Sequence, residues 1–194
     1  GAKKATPAND EYQITFQTHQ KNLSSLRLDC FTDKALPQRG PGVNADGGFQ
    51  LTELKITAKP LDANSKEPMQ ELKLKAVFAA FEDKDQPLAN AVDGKPATAW
   101  VVKTTAKKDN AAIFELDKPL VGFAGGTELQ ITLQFRELGI GRLRVAMSTE
   151  PNPTTWAGDF VPQNVYELRG ILAANNNKVP ESLRENLARW FAPF

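Results

Sequence analysis

The segment NAVDGKPATAW, residues 90–100, combines a tight turn with oxygen ligands and an aromatic anchor. Asp93 and Gly94 form a dipeptide that is typical of turns. Asp93 supplies a carboxylate and Thr98 a hydroxyl, and the short chain between them can bring backbone carbonyls around one ion. Oxygen ligands of this kind are those that Ca²⁺ prefers. The segment therefore predicts a cation-holding turn that leads into a strand, with Trp100 anchored in the core.

The composition is that of an ordinary globular protein, with 41% hydrophobic and 24% charged residues. A chain of 194 residues can form one domain with a real core and an appendage. The net charge of +1 gives no overall field that would attract nucleic acid or an acidic membrane. No apolar run approaches the roughly 20 residues that a membrane-spanning helix needs. We therefore expect neither a nucleic-acid partner nor a membrane span.

The chain contains one cysteine, Cys30, and one histidine, His19. A single cysteine cannot form an internal disulfide, a cysteine-rich metal site or a haem-attachment motif. Cys30 lies in an alternating apolar stretch and is expected to be a small core residue, whereas His19 is expected on the surface of a strand. We find no paired carboxylates whose spacing indicates glycoside hydrolysis. The sequence therefore predicts a protein that is not an enzyme.

Apolar and polar residues alternate with period 2 in many short segments, a pattern typical of half-buried strands. About eight such strands, separated by turn signals, predict an all-β sandwich or barrel. The predicted strands are 12–18, 26–31, 49–58, 72–78, 100–102, 112–116, 127–135 and 142–147.

The chain ends have a different character from the strand-rich middle. Residues 1–10 predict a flexible tail, residues 11–160 the β-sandwich domain, and residues 161–194 a C-terminal helical appendage. Near the C-terminus, Leu183, Leu187 and Trp190 are spaced to share one face of a helix, and Pro180 suits its first turn. We expect the appendage to pack on the sandwich or on a neighbouring domain.

NAVDGKPATAW resembles the A-x-D-G-x-x-x-T-x-W signature of the discoidin or coagulation-factor-C-like family. These are galactose-binding-like sandwiches that include many carbohydrate-binding modules. The segments AAIFELDKPL, residues 111–120, and RLRVAMSTEPNPTTW, residues 142–156, are similar to a strand and a hairpin of that family. FQLTELKI, residues 49–56, resembles its closing strand but comes before the other elements, which implies a circular rearrangement. The resemblance implies a jelly roll of about eight antiparallel strands.

Residues 12–190 also look like the sandwich domain of large exported bacterial proteins, in which cytochrome-c-like and uncharacterised domains flank the sandwich. This resemblance implies a periplasmic or extracellular location, and the flanking domains of the same polypeptide as partners. It favours non-catalytic binding of a polysaccharide or oligosaccharide. The alternative is a structural or protein-interaction module that docks flanking domains without binding a glycan. The loop 36–48 and the helical appendage would then provide the docking surface.

The discoidin-like resemblance also implies a set of calcium ligands. Two carboxylates would neutralise the ion, and about seven oxygens suit Ca²⁺ better than Mg²⁺. Glu53 lies on an apolar strand, and a bound cation would explain it there. We expect a structural ion; the alternative is that Asp93 only caps its turn and Glu53 faces water. The implied ligands are the carboxylates of Asp93 and Glu53, the hydroxyl and carbonyl of Thr98, and the carbonyls of Asn90, Lys95 and Thr52.

Several other residues are candidates for ligand binding. Trp156 matches the hairpin tryptophan of the family, and it either stacks on a sugar or packs structurally. A basic loop supplies Lys103, Lys107 and Lys108, which would recognise an anionic glycan or simply be solvated. Arg39, with Arg142 and Arg144, could pair with anions, or the β-strand arginines could form ion pairs on the sheet.

Overall fold

The computed structural model describes residues 9–103, 108–149 and 178–179. The chain divides into two compact units, residues 1–153 and 154–194, and the fold below is that of the first unit. The predicted appendage 161–194 lies outside the described residues except for residues 178–179, which belong to neither a helix nor a strand. The helical prediction is therefore untested.

Nine strands lie within the described residues, which confirms the all-β prediction. Two short 3-10 turns, Pro37–Arg39 and Leu88–Val92, interrupt the loops between them. The strands are β1 Glu11–Thr18, β2 Leu23–Cys30, β3 Phe49–Pro60, β4 Gln70–Leu72, β5 Leu74–Ala79, β6 Trp100–Val102, β7 Asn110–Leu120, β8 Thr127–Phe135 and β9 Leu143–Ser148.

The strands form two antiparallel sheets, an architecture consistent with a β-sandwich. In the first sheet the order is β1-β8-β3-β4, and β6 pairs with one end of β3. In the second sheet the order is β5-β7-β2-β9. Strand β8 shows why alternation predicts this fold: every second residue from Thr127 to Phe135 is buried, and the residues between them are partly exposed.

Residues from both sheets contribute to one hydrophobic core. Trp100 is fully buried, as predicted, and packs edge-on against Phe49 with ring centroids 5.3 Å apart. Phe49 in turn packs edge-on against Phe135 at 6.3 Å. Cys30 is also fully buried, and burial raises the pKa of its thiol well above the ordinary value. The prediction that Cys30 is a core residue is confirmed, and the thiol is unsuited to nucleophilic chemistry.

Two predicted strands, 72–78 and 112–116, differ from the structure in ways that matter for the fold. The segment 72–78 is not one strand, because β4 ends at Leu72 and pairs with β3, whereas β5 begins at Leu74 and pairs with β7. The chain changes sheets at Lys73, and local periodicity cannot reveal such a change. Strand β7 does not stop before Asp117 but continues to Leu120. Pro119 is tolerated there because β5 pairs with β7 only as far as Leu116, so the missing N–H breaks no bond to that strand.

Candidate functional site

The Asp93 turn is built as the sequence predicts. The 3-10 turn Leu88–Val92 ends at Asp93, and Gly94 follows with φ of 72°. The side chain of Asp93 accepts a hydrogen bond from the backbone N–H of Lys95 at 2.9 Å. Asp93 therefore caps its turn, whether or not it also binds an ion.

The hydroxyl of Thr98 lies among three oxygen atoms. It is 3.0 and 2.9 Å from the two carboxylate oxygens of Asp93 and 2.8 Å from the carbonyl oxygen of Lys95. A hydroxyl has one proton and can donate to only one of these acceptors at a time. Two of the three acceptor oxygens around Thr98 are therefore left without a proton from its hydroxyl. A bound cation would interact favourably with these oxygens.

Glu53 lies beside this turn because of a β-bulge. Strand β3 pairs Leu51 with Phe135 and Glu53 with Gln134, so Thr52 is an extra residue in β3. The hydroxyl of Thr52 donates to the carbonyl of Gln134 at 3.0 Å and holds the bulge. The backbone N–H of Gly94 donates to the Glu53 carboxylate, which joins the turn to β3. Glu53 is only 6% exposed, so the alternative in which it faces water is wrong.

The electrostatics of Glu53 are unfavourable for a bare carboxylate. Burial raises its pKa above the ordinary value, and the negative charge of Asp93 raises it further, while Lys55 and the Gly94 N–H oppose the shift. Among the described residues, no lysine or arginine forms an ion pair with either Glu53 or Asp93. The two carboxylates therefore lie close together with no full counter-charge. We call Glu53, Asp93, Lys95 and Thr98 the Asp93 cluster.

The Asp93 cluster has the ligand chemistry that suits Ca²⁺, with two carboxylates and neutral oxygens. The remaining predicted ligands, Asn90 and Thr52, have engaged side chains, since the Asn90 amide donates to the Ala99 carbonyl at 3.1 Å. The resemblance assigns their backbone carbonyls, and not these side chains, to the ion. No group of three or more His, Cys, Asp or Glu side chains suited to a metal occurs in the described part of the chain. A site with two carboxylates does not need such a group.

The predicted ligand-binding residues do not form one site. Lys103 forms an ion pair with Asp83 at 2.9 Å, and Lys108 is exposed. Arg39 is exposed and follows Gln38 in the left-handed region of backbone conformation, with φ of 58° and 49° respectively. Trp156 and Lys107 lie outside the described residues.

Sequence reasoning missed two exposed aromatic residues, Phe78 and Phe81, which are 37% and 39% exposed. The backbone of Phe81 is fixed from the interior. Its N–H donates to the side-chain oxygen of Asn110 at 3.0 Å, and its carbonyl accepts from the Asn110 amide at 3.1 Å and from the Trp100 indole at 3.3 Å. Asn110 and Trp100 are both buried. The one sequence signal was an aromatic residue directly before the charged run Glu82–Asp83, where strand alternation stops.

A groove of about 160 Å³ runs between the edge of β5 and the 3-10 turn Leu88–Val92. Glu82 closes one side of it, because its carboxylate accepts a hydrogen bond from the Leu88 N–H at 2.8 Å. The same 3-10 turn ends at Asp93, so the groove and the Asp93 cluster share one supporting element. We call this feature the Phe81 groove after the exposed residue that directly precedes Glu82 in the chain; its lining residues include Val77, Phe78, Glu82, Pro87 and Leu88.

Comparisons with known proteins identify no relative. No family model matches the chain, and no curated protein or solved structure matches it. The discoidin-like resemblance therefore stays a prediction. Among the residues that the structure describes, no helix has the length and apolar character needed to cross a membrane.

Proposed function

We propose that this chain is a galactose-binding-like jelly-roll module that binds a glycan without catalysis, as part of a larger exported bacterial protein. The observation that supports the proposal is the exposed ring of Phe81 on a backbone held by two buried side chains. Aromatic rings stack on the apolar faces of sugars. Phe78 supplies one such exposed ring in the lining of the Phe81 groove, and Phe81 supplies a second one residue before Glu82, which also lines the groove.

The fixed backbone of Phe81 suits this role. Binding costs less when the contact residues are already ordered, because little conformational entropy remains to be lost. The buried side chains of Asn110 and Trp100 donate hydrogen bonds to the Phe81 carbonyl, while the Phe81 side chain faces solvent. The backbone that carries the exposed ring is thus already ordered before the ligand arrives.

Polar groups beside the groove can form hydrogen bonds with the hydroxyl groups of a sugar. Asp83 and Lys103 form an ion pair whose side chains are 26% and 52% exposed, and Glu82 lines the groove itself. Small-molecule sites typically combine apolar walls with a few placed polar groups. Carboxylate and ammonium groups next to aromatic rings can exchange hydrogen bonds with sugar hydroxyls.

Replacing Phe81 with alanine tests the proposal. We expect Phe81→Ala to weaken binding of polysaccharides by tenfold or more, since truncating a central aromatic contact commonly costs about 2 kcal/mol. Affinity electrophoresis and titration calorimetry with neutral and acidic polysaccharides measure the loss. Val121→Ala is the matched control, because Val121 is 68% exposed and is not a groove residue.

Two results would contradict the glycan proposal. One is a wild-type chain that no polysaccharide retards. The other is a Phe81→Ala variant that folds normally and binds as tightly as wild type. The first result would favour the alternative, a module that docks flanking domains of the same polypeptide.

We also propose that the Asp93 cluster binds a structural Ca²⁺ ion, through the carboxylates of Asp93 and Glu53, the Thr98 hydroxyl and the carbonyls of Lys95, Thr98, Asn90 and Thr52. The excess of acceptors around Thr98 and the raised pKa of Glu53 support this proposal. The ion would tie the turn to β3. Melting temperatures with calcium and with chelator test it.

A further inference from the structure

Two arginines stack on one phenylalanine at the edge of the second sheet. The guanidinium carbons of Arg142 and Arg144 lie 5.5 and 5.6 Å from the ring centroid of Phe31. Their side chains are 65% and 61% exposed. Contact with an aromatic ring restrains a flexible arginine and leaves its N–H groups available at the edge of the guanidinium plane. We call Phe31, Arg142 and Arg144 the arginine patch.

The arginine patch is anchored at its inner side. Asp29, whose side chain is 4% exposed, accepts a hydrogen bond from the Nε of Arg144 at 2.8 Å. Within the described part of the chain, the one ion-pair contact of the Arg142 side chain is a long one, 3.5 Å between its Nη1 and Asp33. Each guanidinium carries five N–H donors, and the contacts among the described residues engage one nitrogen of each. Both guanidiniums therefore have more N–H donors than these contacts use.

The arginine patch and the Phe81 groove lie at the same end of the second sheet. Phe81 follows β5 and Phe31 follows β2, and the Phe31 N–H donates to the carbonyl of Arg142 at 2.8 Å. Between them, Thr32 donates to Asp109 through both its N–H and its hydroxyl at 2.7 Å. From β5 to β9 is three strand spacings, roughly 14 Å. An extended oligosaccharide can reach across that distance.

We propose that the arginine patch binds the oxyanion groups of the glycan held in the Phe81 groove, so that the ligand is an acidic polysaccharide. This inference rests on the proposed glycan-binding function. Sulfate and carboxylate share the chemistry that arginine recognises, namely two oxygens matched by two parallel N–H donors. Lys108 is exposed immediately before Asp109, and its charge offsets that of the Asp109 carboxylate between the two sites.

The test compares three polysaccharides by titration calorimetry: a sulfated galactan, polygalacturonate and an unsulfated galactan. We expect at least one acidic polymer to bind tenfold or more tightly than the neutral one, and this advantage to shrink with added salt. The two acidic polymers distinguish sulfate from carboxylate as the group recognised. The double variant Arg142→Gln/Arg144→Gln is expected to lose the advantage and to keep the affinity for the neutral polymer.

The control removes the same charge elsewhere. Lys66→Gln/Lys118→Gln replaces two exposed lysines that form no ion pair among the described residues, and it should bind all three polymers as wild type does. Arg142→Gln alone removes the 3.5 Å contact with Asp33 and the contact with the Phe31 ring but leaves the buried Asp29 paired with Arg144, so it is informative even if the double variant fails to fold. Arg142→Lys/Arg144→Lys keeps the charge but not the paired donors, and we expect it to lose part of the advantage.

The failures can be told apart. If Phe81→Ala weakens binding but the arginine variants bind acidic polymers normally, the patch proposal is overturned and the proposed function stands. Equal affinity of wild type for acidic and neutral polymers also overturns the patch. If no polymer binds the wild type, both proposals fall.

Discussion

At the residue scale, Glu53 is the position where the chain departs most from ordinary burial rules. A carboxylate that is 6% exposed needs a compensating charge. The negative charge of Asp93 instead disfavours the ionised form of Glu53 further. Because the folded-state pKa of Glu53 is raised, the native protein binds a proton there more tightly than the unfolded chain does. Without a cation, this residue therefore makes the protein less stable as the pH rises from the ordinary carboxyl range through the raised pKa.

The variant Glu53→Gln tests this account. In chelator at pH 7 we expect its melting temperature to exceed that of wild type, because the variant no longer buries a carboxylate beside the charge of Asp93. At a pH below the ordinary carboxyl range the difference should vanish, since both Glu53 states are then protonated. Added calcium should stabilise wild type and leave the variant unchanged.

Glu128→Gln is the control for the Glu53 prediction. Hydrogen bonds from Lys59 and Gln17 lower the pKa of the Glu128 carboxyl, so its pH dependence has the opposite sign. This variant should retain the full response to calcium. A Glu53→Gln protein that is less stable than wild type in chelator at pH 7 would show that Glu53 is satisfied without a cation.

At the element scale, the bulge in β3 determines where Glu53 lies. The extra residue Thr52 shifts the pairing with β8, so that Leu51 and Leu54 are both buried in the core although they are three residues apart. A regular strand would place residues three apart on opposite faces of the sheet. The Thr52 hydroxyl bonded to Gln134 secures this irregularity, and it thereby sets the position of the carboxylate beside the turn.

Gly94 and Gly42 lie in loops, and the structure requires glycine at each of them for a different reason. Gly94 adopts φ of 72° with nothing within 4 Å of a Cβ placed there, so Gly94→Ala should cost only the backbone strain, about 1–2 kcal/mol. A Cβ on Gly42 would lie 1.8 Å from the carbonyl oxygen of Gly48, a backbone atom that cannot move alone. Gly42→Ala should therefore destabilise the protein more than Gly94→Ala does. Urea midpoints at constant slope measure both changes, and equal losses would contradict this reading.

At the scale of the whole molecule, the Asp93 turn connects the two sheets. The 3-10 turn Leu88–Val92 contacts both β3 of the first sheet and β5 of the second, and it leads directly into Asp93. Leu88 and Ala91 from this turn are part of the shared core. An ion bound by Asp93 and Glu53 would therefore oppose unfolding of the sandwich as a unit and not only of one loop.

The calcium prediction belongs to this scale. At a calcium concentration 100 times the dissociation constant, a site that exists only in the folded state adds about 2.7 kcal/mol. For a domain of this size we expect a rise in melting temperature of roughly 5–10 °C over that in chelator, within one cooperative transition. Scanning calorimetry measures the change. Coincident melts with calcium and chelator, together with a normal melt for Asp93→Ala, would contradict the calcium proposal.

Much of the fold was predictable because period-2 alternation reports directly which strand residues are buried. Strand β8 and the part of β3 from Leu54 to Ala58 follow that pattern. The turn around Asp93, Gly94 and Thr98 is local enough to be recognised from spacing. The Phe81 groove and the arginine patch were not predictable as sites. Phe81 depends on Asn110, 29 residues away, and Phe31 meets Arg142 only because β2 and β9 are neighbours.

The sequence by itself determined the all-β class, the burial of Trp100 and Cys30, and the local turn at Asp93, because each depends on residues close together in the chain. Only the tertiary structure decided the change of sheets at Lys73, the bulge that brings Glu53 to Asp93, and the exposed Phe81 on its fixed backbone. These features depend on which strands pair and in which register. Strand pairing depends on interactions between segments that are far apart in the chain, and a local pattern of residues does not contain that information.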